Sequence, residues 1–368
     1  MMRAVFLRRY VARMTIPPCR PYLPPEWAPQ SGVMLTWPHA HSDWAPILTQ
    51  VEPVFVEIAS AVARFETVLI ACHDQAHRIQ VTALLRAAGV PETACRIYVA
   101  DSNDTWARDH GPITVLCQGD PTLLDFGFNG WGGKFAHDLD NSLTHRLHAQ
   151  KAFGVTPLEP VDFILEGGSI EVDGSGTLLS TERCLLSATR NPGLDRSQIE
   201  KKLAELLGIT RFLWLKNGYL AGDDTDSHID TLARLCDANT IAYVACDDPA
   251  DEHYPELKAM EQELRAFLTA TGQPYRLVPL PWPRAKFDDD GARLPATYAN
   301  FLIINNAVLV PTYRDAADDA ALDILRDCFP GHSVMGIDCL PLIIQHGSLH
   351  CVTMQIPTGV LPALPVSG

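Results

Sequence analysis

The segment Gln345-His346-Gly347-Ser348-Leu349-His350-Cys351-Val352-Thr353-Met354-Gln355 sets a cysteine directly after a small-residue turn and at the start of an apolar run. That setting presents a thiol at a strand end, and His350 beside it would favour the thiolate, the form that acts as a nucleophile. The other nine cysteines lack this polar setting and read as small buried hydrophobes. A second cluster, Gly222-Asp223-Asp224-Thr225-Asp226-Ser227-His228-Ile229-Asp230, packs four acids and a histidine into nine residues and leads into the apolar run 229–235. Alternation along an extended segment puts His228 and Asp230 on one side, so both are expected to face one cavity. Two chemistries are open at this point. A histidine among carboxylates moves protons for a nucleophile. Hard carboxylates with one histidine also suit a divalent metal, with Asp226, His228 and Asp230 as ligands. Against the metal stand the missing Asp/Asn-Gly spacing of a calcium loop and the lack of a second His-rich segment.

Two further clusters sit at the edges of expected strands. In Trp106-Ala107-Arg108-Asp109-His110-Gly111-Pro112 a Gly-Pro turn fixes an acid beside a cation, just ahead of a strand at 113–117. In Leu165-Glu166-Gly167-Gly168-Ser169-Ile170 two glycines allow a sharp turn or a close backbone approach. Each has a bland reading when taken alone. The Arg-Asp pair serves equally as a turn-stabilising salt bridge, the glycines as a β-bulge carrying an exposed glutamate, and the acidic run as a solvated loop.

These clusters must be positioned by the elements between them. Short β-rich runs at 32–37, 67–71, 96–100, 113–117, 240–245, 301–305 and 307–311 alternate with stretches of helical period at 47–65, 76–88, 197–207, 254–270 and 316–328. The order strand, polar turn, strand, helix recurs about five times at uneven spacing, which excludes an all-α or all-β protein. A Rossmann-like open sheet competes on pattern alone, yet no G-x-G-x-x-G or Walker loop follows any strand. Gly132-Gly133-Lys134 resembles a phosphate loop only superficially.

With 368 residues, 47% of them hydrophobic, the chain can bury a large core. No linker divides it, so residues 22–360 read as a single catalytic α/β domain, with 1–21 as an N-terminal extension and 361–368 as a C-terminal tail. The balance of 29 basic against 44 acidic residues leaves a net charge of −15, which argues against nucleic acid and suits small cationic ligands. The ten cysteines form no Cys-x-x-Cys pair, so no disulfide framework is expected and a reducing, cytoplasmic setting follows. No run approaches the ~18–20 apolar residues of a membrane span. Residues 1–14 are too short and too interrupted by arginine for a secretory signal. Residues 1–13 carry four arginines and no acid, and read as an extension or as the product of an upstream start codon.

Taken in order, W-x-R-D-x-G-P, F-N-x-W-G-G-K at 128–134, E-G-G, H-x-D and a C-terminal H-C-x-T-x-Q resemble the agmatine deiminases and the related bacterial peptidylarginine deiminases, from about Tyr22 to Pro357. The resemblance implies the pentein fold, a five-bladed, pseudo-symmetric α/β propeller of ββαβ units. It also implies Cys351 as nucleophile, His228 as acid/base, Asp109 and Asp230 as guanidinium-binding carboxylates, and Glu166 as a support for His228. The pattern is broken in three places. Ser227 stands where the family has Gly before the His, Ser169 replaces Asn after E-G-G, and Gln345-His346-Gly347 replaces a glycine-rich turn.

The implied reaction is hydrolysis of agmatine to N-carbamoylputrescine and ammonia, with no cofactor and no metal. Resonance makes a guanidinium carbon a poor electrophile, so the group must be held planar and charged, and carboxylates match its paired N–H donors. Attack by a Cys351 thiolate then splits the hydrolysis into two easier steps through a thiouronium. Asp224, four residues before the His, is expected to meet the amine end of the substrate, and Trp106 to wall its aliphatic chain. The partner expected is thus a small cationic guanidinium substrate, with neither nucleic acid nor membrane, and a homo-oligomer is left open. Peptidylarginine deimination is the alternative within the resemblance; a metal-dependent hydrolase at Asp226, His228 and Asp230 and a non-catalytic guanidinium-binding protein lie outside it.

Overall fold

A computed structural model describes residues 19–362. The extension expected at 1–21 and the tail expected at 361–368 thus lie almost wholly outside the described residues. The strand pairing repeats one theme five times. In each unit two strands pair antiparallel, and helical segments then cross over to a third strand parallel to the second. Such crossovers bury both faces of the middle strand, so it reads as a continuous apolar run. Thr177–Thr181 and Thr240–Val244 are buried along their whole length for this reason.

The first unit joins the two ends of the chain. Gln30–Thr36 pairs antiparallel with Thr353–Pro357 and, across the helix Leu48–Val62, parallel with Thr67–Cys72; Gln75–Ala87 then leads to an additional parallel strand, Cys95–Val99. The second is Ile113–Cys117, Asp120–Gly127 and Leu158–Ile164, and the third Glu171–Val172, Thr177–Thr181 and Arg211–Leu215. The fourth is Ala233–Asp237, Thr240–Val244 and Arg276–Leu280, and the fifth Leu302–Ile304, Ala307–Thr312 and Ser333–Asp338. A two-stranded hairpin, Lys286–Phe287 with Arg293–Leu294, stands apart from them. The chain is therefore mixed α/β with several small sheets, and the open Rossmann-like sheet is excluded.

Helix ends follow local chemistry. Arg196–Leu207 opens on a capping box between Asp195 and Gln198 and closes at Gly208, whose φ of 74° suits glycine. The helix expected at 254–270 stops at Ala266. Phe267 turns extended there, and the Thr269 amide donates to Gln273 O in a turn whose Gly272 has φ 79°. The acidic segment is also not extended, because Ile229–Thr231 forms a 3-10 turn after His228.

Two covalent and compositional expectations are corrected. Cys19 and Cys117 form a disulfide, tying the segment before Tyr22 to the strand Ile113–Cys117. Contrary to the sequence reading, 45–62 is long and apolar enough to qualify as a membrane span by composition, with a mean hydropathy of 1.3. Val51, Phe55, Ile58 and Val62 from this helix are fully buried in the largest hydrophobic core.

Candidate active site

Three turns carry the polar residues to one point. Ala107–His110 is a single buried helical turn; Gly167–Ser169 and Ile229–Thr231 are 3-10 turns at the starts of their units. Gly168 is where they meet. A Cβ built there would lie 2.6 Å from His228 Nδ1, 3.0 Å from Asp109 Oδ1 and 3.1 Å from Asp230 Oδ2. A Cβ at Gly167 would lie 2.2 Å from Arg108 O. The two glycines of E-G-G are thus needed for space, and the bulge with an exposed glutamate is ruled out because Glu166 is 1% exposed.

His228 is enclosed by acids. Its Nε2 lies 3.1 Å from Glu166 Oε2, and its Nδ1 lies 3.6 Å from Asp109 Oδ1, near enough for charge attraction but beyond a hydrogen bond. Burial disfavours the imidazolium, but Asp109 and then the Cys184 and Glu166 contacts outweigh it and hold the pKa well above the ordinary value. Asp109 accepts from Trp131 Nε1 at 3.0 Å and from the Gly168 amide at 3.1 Å. Burial pushes its carboxyl up to about 6 against the pull of His228, with Asp230 and Glu166 adding to the rise. Arg108 does not pair with Asp109 as a turn-stabilising bridge; its guanidinium faces Glu26 at 3.5 Å. Glu166 is anchored on its other side by Arg190 Nε at 3.0 Å.

Asp230 is fully buried and binds His350 Nδ1 through Oδ2 at 2.7 Å, while Oδ1 is buried with no hydrogen-bond partner among the described residues. Burial opposes its ionisation, yet the His350 bond and charge lower its pKa. Cys351 Sγ lies 3.9 Å from Asp230 Oδ2 and 3.4 Å from Asn300 Oδ1. Asn300 Oδ1 also accepts the His350 amide at 2.9 Å, and Asn300 Nδ2 donates to Asp230 O at 3.3 Å, which pins the cysteine turn to the Asp230 turn. The expected help from His350 to the thiolate is not what the site provides. Both ring nitrogens of His350 are engaged by Asp230 and Glu26, and burial with the charges of Asp230 and Asp109 pushes the Cys351 thiol well up.

A cleft of about 600 Å³ opens over Cys351 and Asp109. Its walls include Trp106, Trp131 and Phe135, and its acids are Asp43, Asp104, Asp109 and Asp224; among the described residues no lysine or arginine lines it. Trp106 packs between Trp44 and Trp131, with Gly347 against its ring face. Asp224 stands in the wall, half-exposed, 3.9 Å from His346 Nε2. The trio proposed for a metal does not converge, because Asp226 is drawn away to Lys134 Nζ at 2.8 Å and to Arg190. Among the described residues one three-donor group lies within 4.8 Å, Glu166, Cys184 and His228. There the Glu166 oxygens already serve Arg190 and His228, and the Cys184 thiol is pushed up to about 11 by burial and then by the Glu166 charge.

Two of the three breaks in the motif pattern, at Ser227 and in the 345–347 turn, fall where the backbone is left-handed. Asp226, Ser227 and His346 have φ of 66°, 67° and 66°, the left-handed region in which glycine is preferred. Ser227 is held there by its amide donating to Asp223 Oδ2 at 2.6 Å and its carbonyl accepting from Thr181 Oγ1 at 2.7 Å. Glu26, Asn300 and Arg190 carried no motif signal. Trp131 lay in a quoted motif without a role, and its indole N–H supplies one.

A family model for the Porphyromonas-type peptidyl-arginine deiminase matches residues 22–357. A protein of Shewanella sp. strain MR-7 named "putative agmatine deiminase" is 33% identical over 362 residues, covering 92% of this chain and 94% of that protein. The crystal structure of the "putative arginine deiminase" of Porphyromonas gingivalis is 52% identical with a TM-score of 0.86, covering 93% of this chain and all of that one. A cysteine-to-serine variant of the C. jejuni agmatine deiminase, solved with substrate bound, is 39% identical with a TM-score of 0.85, covering 93% of this chain and 97% of that one.

Proposed function

The chain belongs to the Porphyromonas-type peptidyl-arginine deiminase family, a family of guanidino C–N hydrolases, and from that premise we propose that it is an agmatine deiminase. The observation that carries the choice of substrate is the lining of the cleft, with four aspartates and neither lysine nor arginine among its described residues. Agmatine is cationic at both ends and finds acids throughout. Free arginine brings an α-carboxylate, for which the lining offers no lysine or arginine and only the imidazole of His346, itself 3.9 Å from Asp224. In the same reading the five strand–strand–helix–strand units are the blades of a pentein propeller, and residues 22–360 are one catalytic unit. The proposed setting is the cytoplasm, where the nucleophile stays reduced and the Cys19–Cys117 bond would open.

The proposed roles follow from the geometry. Asp230 Oδ1, buried and unpartnered, accepts a guanidinium N–H, and Asp109 accepts another while keeping its Trp131 and Gly168 donors. Arrival of the cation offsets the two carboxylate charges that hold the Cys351 thiol protonated, so the thiol gives its proton to solvent and the thiolate forms when substrate is bound. It attacks the guanidinium carbon, forming a C–S bond. His228, kept as imidazolium by Asp109 and Glu166, gives its proton to the departing nitrogen as the C–N bond breaks and ammonia leaves. The neutral imidazole then takes a proton from water, whose oxygen attacks the thiouronium carbon. The C–S bond breaks as the new hydroxyl gives its proton to solvent and becomes the carbonyl, N-carbamoylputrescine leaves and the thiolate returns. Each such proton transfer typically contributes roughly 10²–10⁴-fold. Trp106 walls the methylene chain, and Asp224 meets the terminal ammonium.

The test is steady-state release of ammonia from agmatine, free arginine and a blocked arginyl peptide. Agmatine is expected to be turned over with kcat/KM at least tenfold above the others. Preferred turnover of the peptide would move the chain to peptidylarginine deimination.

A further inference from the structure

The carboxylate of Asp230 is the near end of a buried chain. His350 Nδ1 meets Asp230 Oδ2 at 2.7 Å, and Nε2 of the same ring meets Glu26 Oε2 at 2.6 Å. All three side chains are nearly or fully buried. With both acids ionised, the ring is a donor at each nitrogen. Glu26 comes from the segment ahead of the first strand, outside the five repeated units. It is fixed in turn by the Ile303 amide at 2.7 Å, by Arg234 at 2.9 Å and by Arg108 at 3.5 Å. Arg234 is held by Glu171 at 2.8 Å and lies over the Phe301 ring.

We propose that Glu26 and His350 are positioning residues for the reaction, a carboxylate–imidazole–carboxylate chain that locks the Asp230 carboxylate so that Oδ1 alone faces the guanidinium. The proposal rests on the reading of Asp230 as a guanidinium ligand. Oδ2 is already satisfied, so rotation of the carboxylate would break a charge-assisted bond and leave a buried oxygen unpaired. Oδ1 is the complementary case, a buried oxygen awaiting a donor. The chain also explains why a proline-rich segment with no motif of its own is folded into the interior: it delivers Glu26. A second cavity of about 530 Å³ is lined by Glu26, His350, Arg108, Glu171 and Gln355 and includes neither Cys351 nor Asp109. Water entering from that cavity can fill the space left by a smaller side chain, so His350→Ala, which removes both ring donors, and the isosteric Glu26→Gln are expected to fold.

Three readouts on these variants test the proposal. First, kcat/KM for agmatine should fall by roughly 10²-fold, since small misplacement of a binding group has effects of that size. Second, the agmatine concentration that half-protects Cys351 from iodoacetamide should rise at least tenfold, while alkylation without agmatine changes less than threefold. His350→Asn, whose side-chain amide takes the place of Nδ1 and returns a donor toward Asp230, should recover part of the protection. Third, wild type should show exchange-protected, downfield imidazole N–H signals that vanish in Glu26→Gln. Protection of both variants at the wild-type agmatine concentration would overturn the proposal. If wild type itself is not protected by agmatine, the substrate reading fails, and the imidazole signal decides the chain alone: its absence from wild type overturns it.

Discussion

Asp109 and His228 share one low-dielectric pocket in which each sets the other's protonation. A carboxyl pushed up to about 6 ionises only as the pH rises through that value. The ionised form is the one that holds a guanidinium, so kcat/KM for agmatine should fall as the pH drops below about 6, with the free enzyme's Asp109 as its origin. The Trp131 indole bond stabilises the carboxylate. Trp131→Phe removes that donor and should move the acid limb to higher pH; an unmoved limb would detach it from Asp109. His228 has its pKa raised, so its imidazolium persists through neutral pH and the limb it contributes lies on the alkaline side. Asp109→Asn and Asp230→Asn should each lower turnover by at least 10²-fold with circular dichroism unchanged, because a cation bound against a single carboxylate loses ~3–5 kcal/mol. Near-normal turnover in either variant would remove that residue from the site.

At the scale of the element, the site depends on turns too tight for side chains. Gly168 has no positive φ, so alanine is compatible with its backbone, but the added Cβ would crowd His228, Asp109 and Asp230 together. Gly168→Ala is therefore expected to abolish turnover while leaving thermal unfolding within a few degrees of wild type. Ser227→Gly is the opposite case. A non-glycine residue in the left-handed region costs roughly 1–2 kcal/mol, of which the extra freedom of unfolded glycine takes back about half. The variant should melt slightly higher, and a lower melting temperature would refute this account of the turn. The order of the motifs marked Cys351, His228, Asp109, Asp230 and Glu166 in the sequence, since all sit on turns with a composition of their own, and the fold brings these five together. Glu26 and Asn300 were silent because each reaches the site from a segment with no local pattern, and only tertiary packing brings them there. The third strands of the units were faint for a related reason. Leu158–Ile164, Arg276–Leu280 and Ser333–Asp338 are half-exposed edges, and their apolar runs are interrupted by Glu159 and Asp162, by Pro279 and by Gly336.

For the whole molecule, the net charge of −15 and the acid-lined cleft act on the substrate before contact. Agmatine carries two positive charges, so its kcat/KM should fall several-fold as the Debye length shrinks from about 30 Å at 0.01 M salt to about 3 Å at 1 M. Butylguanidine, a monocation, should fall less, and equal slopes would mean that the cleft acids do not steer the amine end. The same molecule-wide organisation closes the chain on itself, because Thr353–Pro357 follows Cys351 by two residues and pairs with the first strand. Cys351 is thus anchored beside the pairing of the first and last strands among the described residues. The most direct test of the account is intact-mass analysis of enzyme mixed with agmatine and quenched in acid within the first turnovers. An adduct on Cys351 with the mass of agmatine less ammonia is expected, absent from Cys351→Ser. Ammonia release without any adduct, or an adduct and turnover that survive in Cys351→Ser, would contradict it.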